Sequence, residues 1–191
     1  MKIDRKLNLV IPLYREGEDP YAYVHAMAIS REVFEKYHLV IARTFASLHN
    51  NGLDYVAGPP VAAMMLKSEA EKMGSWEGPS GAQGLLAEIR RLSSVLSPTP
   101  RGWESVPLQD AVDQDFLDSD DVSGVENALI FFTVASSMYP RQVLKIVLEA
   151  VGKLWGARTE SLSCMDFAAS LTTSNRGGNT GERETQSSIA Y

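Results

Sequence analysis

The sequence predicts a mainly α-helical domain that opens with a β-hairpin packed on a bundle of about five to six helices. Three observations carry this. Apolar residues recur at helical spacing over most of the 191 residues. Strict alternation is confined to the N-terminal part. The most apolar run, Ala128-Leu-Ile-Phe-Phe-Thr-Val-Ala135, lies inside a stretch from Asp118 to Trp155 that reads as two helices hinged at Pro140.

Over residues 6–14, Leu7, Leu9, Ile11 and Leu13 face one way and Asn8, Val10 and Pro12 the other. A turn-rich Glu16-Gly-Glu-Asp-Pro20 follows, and alternation resumes over 21–28, with Tyr21, Tyr23, His25 and Met27 opposite Ala22, Val24 and Ala26. This predicts a hairpin over about 6–28, with Pro12 marking an edge strand. A lone two-stranded ribbon is marginal in water, so it must lie on the helices or gain strands from another chain.

Ser30 is a suitable N-cap for a helix over 31–49 whose inward stripe is Phe34, Tyr37, Ile41, Phe45 and Leu48. Gly58-Pro-Pro60 starts a second helix that runs through Met73. Met64, Met65 and Met73 are either core filler or an adaptable binding surface, because thioether side chains fit many partners. After a loop over 74–81, a helix over about 82–96 turns Leu85, Ile89, Leu92 and Leu96 inward and ends before Pro98 and Pro100. Trp103 and Pro107-Leu108 lead through a short amphipathic turn with Ala111, Val112 and Phe116 to the central pair.

In that pair, Val125, Leu129 and Phe132 define one face of the first helix, and Phe131, Val134 and Met138 a second. A helix apolar on two faces belongs inside a domain. Pro140 suits the first turn of the next helix, whose stripe is Val143, Leu144, Val147, Leu148, Val151, Leu154 and Trp155, with Gly156 as a left-handed cap. The two are expected to fold back as an αα-hairpin around which the others gather. Ser163 and Asp166 form a capping-box pattern for one more short helix within 161–171. Beyond Leu171 the chain is polar and expected to be disordered. The expected organisation is one domain over 1–171 and a polar tail over 172–191.

A net charge of −6 argues against nonspecific nucleic-acid binding, which needs a basic surface. A single cysteine, Cys164, permits no internal disulfide. Neither a signal-peptide core nor a membrane-length apolar run occurs, so a cytosolic protein is expected.

No reactive constellation emerges from the side chains. His25, His38 and His49 lack metal-ligand spacing. Cys164 has no neighbouring base or cation to activate it. Asp118-Ser-Asp120-Asp121 resembles the start of a calcium loop, but Val122, Gly124 and Leu129 break the pattern, and helix capping explains the aspartates better. Gly78-Pro-Ser-Gly81-Ala-Gln-Gly84 lacks the Lys-Ser/Thr pair of a phosphate loop. No enzyme activity, metal or cofactor is expected.

Charge is more informative. Gly102 to Pro140 holds no Lys or Arg, yet it carries Glu104, Asp110, Asp113, Asp115, Asp118, Asp120, Asp121 and Glu126. Such a segment is either a solvated, capped rim or a docking surface for a basic partner. Met64, Met65, Asp113, Asp115, Asp120 and Asp121 are the candidate partner-binding residues.

The opening Leu7-Asn-Leu-Val-Ile-Pro12 and Tyr23-Val-His25, the helix start Ser30-Arg-Glu-Val-Phe34, Gly58-Pro-Pro60 and the block Leu154-Trp-Gly-Ala-Arg158…Ser161-Leu-Ser-Cys-Met-Asp-Phe167 together resemble tail assembly chaperones of long-tailed bacteriophages. The resemblance covers roughly residues 5–171. It implies a small helical, non-enzymatic protein of the infected cell's cytoplasm. Such a protein coats the tape measure protein, helps recruit tail tube subunits, self-associates into a homo-oligomer and is absent from the finished virion. It also implies a pair of forms related by frameshifting. The alternative is a structural virion component, such as a head–tail connector, completion or minor tail protein. No nucleic acid or membrane partner is expected.

Overall fold

The computed structural model describes residues 7–15, 19–53 and 57–177. In chain order these form β1 (Asn8–Leu13), β2 (Ala22–Met27), α1 (Arg31–Asn50), α2 (Gly58–Lys72), α3 (Ala82–Arg91), β3 (Ser93–Thr99), β4 (Gly102–Pro107), α4 (Leu108–Asp113), α5 (Ser119–Met138), α6 (Arg141–Trp155), β5 (Arg158–Glu160) and α7 (Cys164–Gly177). The strands build one antiparallel sheet in the order β4-β3-β2-β1-β5. The expected fold class is thereby corrected. The described residues form a five-stranded sheet with helices on both faces, where a mainly helical bundle with a lone hairpin was expected.

The hairpin itself is present, with Asn8 opposite Met27 and Leu13 opposite Ala22. It forms the middle of the sheet, and the strands that complete it come from its own chain. β1 pairs with β5 through Asn8, Leu9 and Val10, and β2 pairs with β3 from Tyr23↔Leu96 to Ala26↔Ser93. Pro12 therefore lies in an interior strand. It falls two residues beyond Val10, the last that β5 pairs, so its missing N–H breaks no ladder bond. Pro98 repeats the device in β3, two residues beyond Leu96, the last that β2 pairs.

The expected helix over 82–96 stops at Arg91. Ser93 donates its hydroxyl to Ile89 O at 2.8 Å, and the chain then extends. Val95 and Leu96, both fully buried, face opposite sides of the sheet, which neighbouring residues on one helix face cannot do. Pairing with β2 decides the conformation, and a register of partners about 70 residues apart is invisible to a local apolar count. Gly102 takes φ 127° at the tight turn into β4, where Thr99 Oγ1 donates to Gly102 O at 2.8 Å.

Alternation sorts the sheet into two faces. Leu9, Ile11, Leu13, Ala22, Val24, Ala26 and Val95 join the main core with the helices from α1 to α6. Val10 and Leu96 on the other face meet Phe167 and Ala168 of α7, with Tyr23 and Trp103 around them. At the start of α7 Ser163 caps the helix as expected, its Oγ accepting from Asp166 N at 3.2 Å, and the hydroxyl donates to Asp166 Oδ2 at 2.6 Å. The helix continues to Gly177, so residues 172–177 are helical where disorder was expected; the rest of the expected tail lies outside the described residues.

α5 is buried on all sides from Leu129 to Ala135. It packs chiefly on α2 and α1 and only lightly on α6, so the expected αα-hairpin is not the organising pair. The Phe131 ring lies against Gly58, leaving no room for a side chain at the start of α2. α6 buries Leu144, Val147, Leu148 and Val151, while Val143, expected in that stripe, is exposed. The side chains of Leu154 and Trp155 lie outside the described residues.

Candidate functional site

The light contact between α5 and α6 leaves a cleft of about 430 Å³. Leu9, Ile11 and Leu13, the alternate residues of β1 that face the helices, make its floor. Val125, Ala128, Phe131 and Phe132 of α5 form one wall, and Leu148 and Val151 of α6 with Ala157 form the other. Pro59 and Pro60 close it at the start of α2. Its rim carries Asp120, Asp121, Ser123 and Gly124 from the first two turns of α5.

The acidic rim follows from how α5 begins. Asp118 caps the helix, accepting from Asp120 N at 3.0 Å and Asp121 N at 2.8 Å. Asp120 and Asp121 thus ride in the first turn, where the positive end of the helix dipole favours them. Asp121 accepts a hydrogen bond from the Tyr21 hydroxyl. The Arg15 guanidinium lies 4.2 Å over the Tyr21 ring and donates to Phe116 O at 3.2 Å. Burial, then the bond to Asp121, pushes the Tyr21 phenol up to about 12. No described residue pairs with the Asp120 carboxylate, which stays exposed.

The other candidate residues lie apart from the cleft. Met64 is 61% exposed on α2, whereas Met65 is half-buried with its Sδ 3.6 Å from Ser47 Oγ on α1. Met65 thus turns toward α1 while Met64 turns to solvent. Asp113 accepts from Gln109 Nε2 at 2.8 Å within α4. Asp115 sits in the following turn at φ 53°, a left-handed conformation that aspartate tolerates better than most side chains. Glu126 pairs with Arg90 at 3.0 Å. The acidic segment is therefore distributed over capping, turn and rim positions. Only Asp120 and Asp121, of the six candidates, meet at the cleft.

No protein-family model, curated protein or solved structure matches this chain. Its function is therefore argued from the geometry of the cleft.

Among the described residues, the lining holds no histidine, cysteine, lysine or arginine. His25 is buried on the opposite face of the sheet, with Nε2 3.1 Å from Leu162 O, and His38 Nδ1 lies 3.0 Å from Glu35 O. Cys164 Sγ is 3.3 Å from Ser105 Oγ, also on that opposite face. Among the described residues, no group of three or more His, Cys, Asp and Glu side chains converges on a metal position, and no helix is long and apolar enough to cross a membrane. At the glycine-rich loop, Ala82 N and Gln83 N donate to Ser75 O and Trp76 O at 2.9 and 3.1 Å. The N–H groups a phosphate would need are thus already engaged by the loop. A wider depression of about 740 Å³ beside Trp76, Arg90 and Arg91 is lined mostly by exposed side chains.

The cleft's walls were legible only as apolar stripes. Nothing in residue type distinguishes Leu9, Phe131 or Leu148, which line it, from Ile41 or Leu85, which are packed throughout. What the arrangement offers chemically is apolar surface beside fixed negative charge.

Proposed function

We propose that the protein acts by binding, without bond-making chemistry, as a bacteriophage tail assembly chaperone whose client is the tape measure protein. The cleft carries the proposal. Its apolar walls suit the apolar face of a client helix, a recurring way in which grooves hold amphipathic segments. Because the sheet departs from the small helical domain that the family resemblance implies, the weight rests on the cleft and its rim. Recruitment of tail tube subunits, self-association and residence in the host cell cytoplasm belong to the same proposal.

Co-expression of the tagged chain with the tape measure gene from the same genome, followed by a pull-down, tests it. Stoichiometric capture of the tape measure protein is the expected result. Mass spectrometry of purified particles separates the alternative: presence of the chain in mature virions at structural copy number assigns it to the head–tail or tail structure instead.

A further inference from the structure

We infer that the cleft selects a helical segment in which a lysine or arginine directly adjoins three apolar anchors. The inference deepens the binding role proposed above and rests on it.

Length comes first. The floor runs from Leu9 to Leu13, about 13 Å at a strand's rise of about 3.3 Å per residue. Two turns of helix span about 11 Å, which presents anchors at positions i, i+3 or i+4, and i+7 along one face. A two-turn apolar stripe therefore matches the floor.

The polar groups argue against a small molecule. Sites for small ligands place a few polar groups inside an apolar pocket to fix orientation. Here the Asn127 amide is already engaged, accepting from Ala63 N at 3.0 Å and donating to Ser123 O at 2.9 Å. The remaining polar side chains lie at the rim.

Charge sets the third requirement. Asp120 and Asp121 stand at the Leu13 end of the floor, since Tyr21, which bonds Asp121 through its hydroxyl, bonds Leu13 O through its N–H at 2.9 Å. Arg15, the nearby cation, is held by the Tyr21 ring and Phe116 O. A segment seated on the floor thus brings whatever adjoins its anchors at the Leu13 end against the Asp120 carboxylate, with which no described residue pairs. A basic side chain there is favoured and an acidic one repelled.

The test uses the full chain and fluorescence anisotropy with two labelled helical peptides. Both carry leucines at i, i+4 and i+7; one has lysine flanking the first and the last leucine and the other glutamate at the same two places. The lysine peptide is expected to bind roughly fivefold tighter, with the preference shrinking as salt rises. Asp120→Lys is expected to invert that preference. Gly124→Trp is expected to abolish binding of both, because a Cβ there meets no atom within 4 Å and the indole enters the mouth without strain at its root. Circular dichroism confirms that each variant keeps its fold, and Asp120→Asn provides a milder charge change. Equal affinity for the two peptides would overturn the inference, as would undiminished binding to Gly124→Trp. So would a long-chain alkylamine that binds in the cleft where neither peptide does. Capture of the tape measure protein together with equal peptide affinities sinks the charge rule and leaves the chaperone role standing. The reverse pattern sinks the chaperone role alone.

Discussion

The Tyr21 hydroxyl donates to the Asp121 carboxylate across 100 residues of chain, tying the start of the second strand to the first turn of α5. That bond holds one side of the cleft's mouth against the sheet. It also makes the mouth sensitive to alkali, because the acceptor is charged and the donor titrates.

The Tyr21 phenol is raised from the ordinary value of 10.0 to about 12, by burial first and by Asp121 second. Folding therefore favours the neutral phenol. Its contribution to stability is complete below about pH 10 and disappears as the pH climbs through about 12. Tyr21→Phe is expected to cost about 1.5–3 kcal/mol at neutral pH, the scale of a hydrogen bond to a charged group. Urea unfolding across the alkaline window checks this: the gap between wild type and variant should narrow toward pH 12. A constant gap would mean that the bond contributes nothing to the linkage.

Two glycines on elements around the cleft should respond oppositely to alanine. Gly124 lies within α5, and its added Cβ meets nothing within 4 Å, so Gly124→Ala is expected to stabilise by about 0.5–1 kcal/mol. At Gly58 the same carbon would sit 2.4 Å from Leu53 O and 2.8 Å from Phe131 Cε2. Gly58→Ala is expected to lose more than about 1 kcal/mol and to displace the Phe131 ring from the cleft wall. Thermal melts of both variants decide the signs.

Phe167 holds α7 to the sheet. Its ring is fully buried, edge-on to Tyr23 at 5.6 Å between centroids, with the Arg158 guanidinium 5.1 Å over it. Phe167→Ala is expected to cost about 3–5 kcal/mol, the usual range for an aromatic removed from a core. Because the Val10–Leu96–Phe167–Ala168 cluster is separate from the main core, hydrogen exchange should rise first in α7 while α5 stays protected. Uniform loss of protection would show instead that the two cores unfold as one.

On α2, the Lys72 ammonium lies 2.7 Å from the Glu69 carboxylate and holds that carboxyl below its usual range. A depressed folded value means that the contribution is present above about pH 4.5 and is lost as the pH falls through the folded value. Lys72→Met should therefore be slightly less stable than wild type at neutral pH, and the two should converge in acid. Urea midpoints over the acidic range measure the convergence; parallel profiles would assign the effect to packing.

Features set within one or two helical turns were legible beforehand. The Ser30 cap, which accepts from Val33 N at 3.3 Å, follows from residue type and position alone. So do the buried Tyr37, Ile41 and Leu48 of α1 and the left-handed Gly156 at φ 68°. The interior placement of α5 from Leu129 to Ala135 followed from the apolar character of that run on every side. Pro12 misled, because an edge requirement that holds for one residue was extended to a whole strand; its neighbour β5 simply ends before reaching it.

The sequence by itself determined that helices start after Ser30, at Gly58 and after Pro140, that a hairpin forms within about 6–28, and that the first turn of α5 is acidic. Only the tertiary structure decided that Ser93–Thr99, Gly102–Pro107 and Arg158–Glu160 are strands, since a strand acquires its hydrogen bonds from partners far along the chain, as Asn8 does from Glu160. It alone also decided that the apolar side chains between α5 and α6 line a cleft. Apolar residues are driven out of water by the same force whatever their neighbours, and here the buried side chains of β1, α5 and α6 surround a space that the packing of α5 on α2 and α1 leaves unfilled.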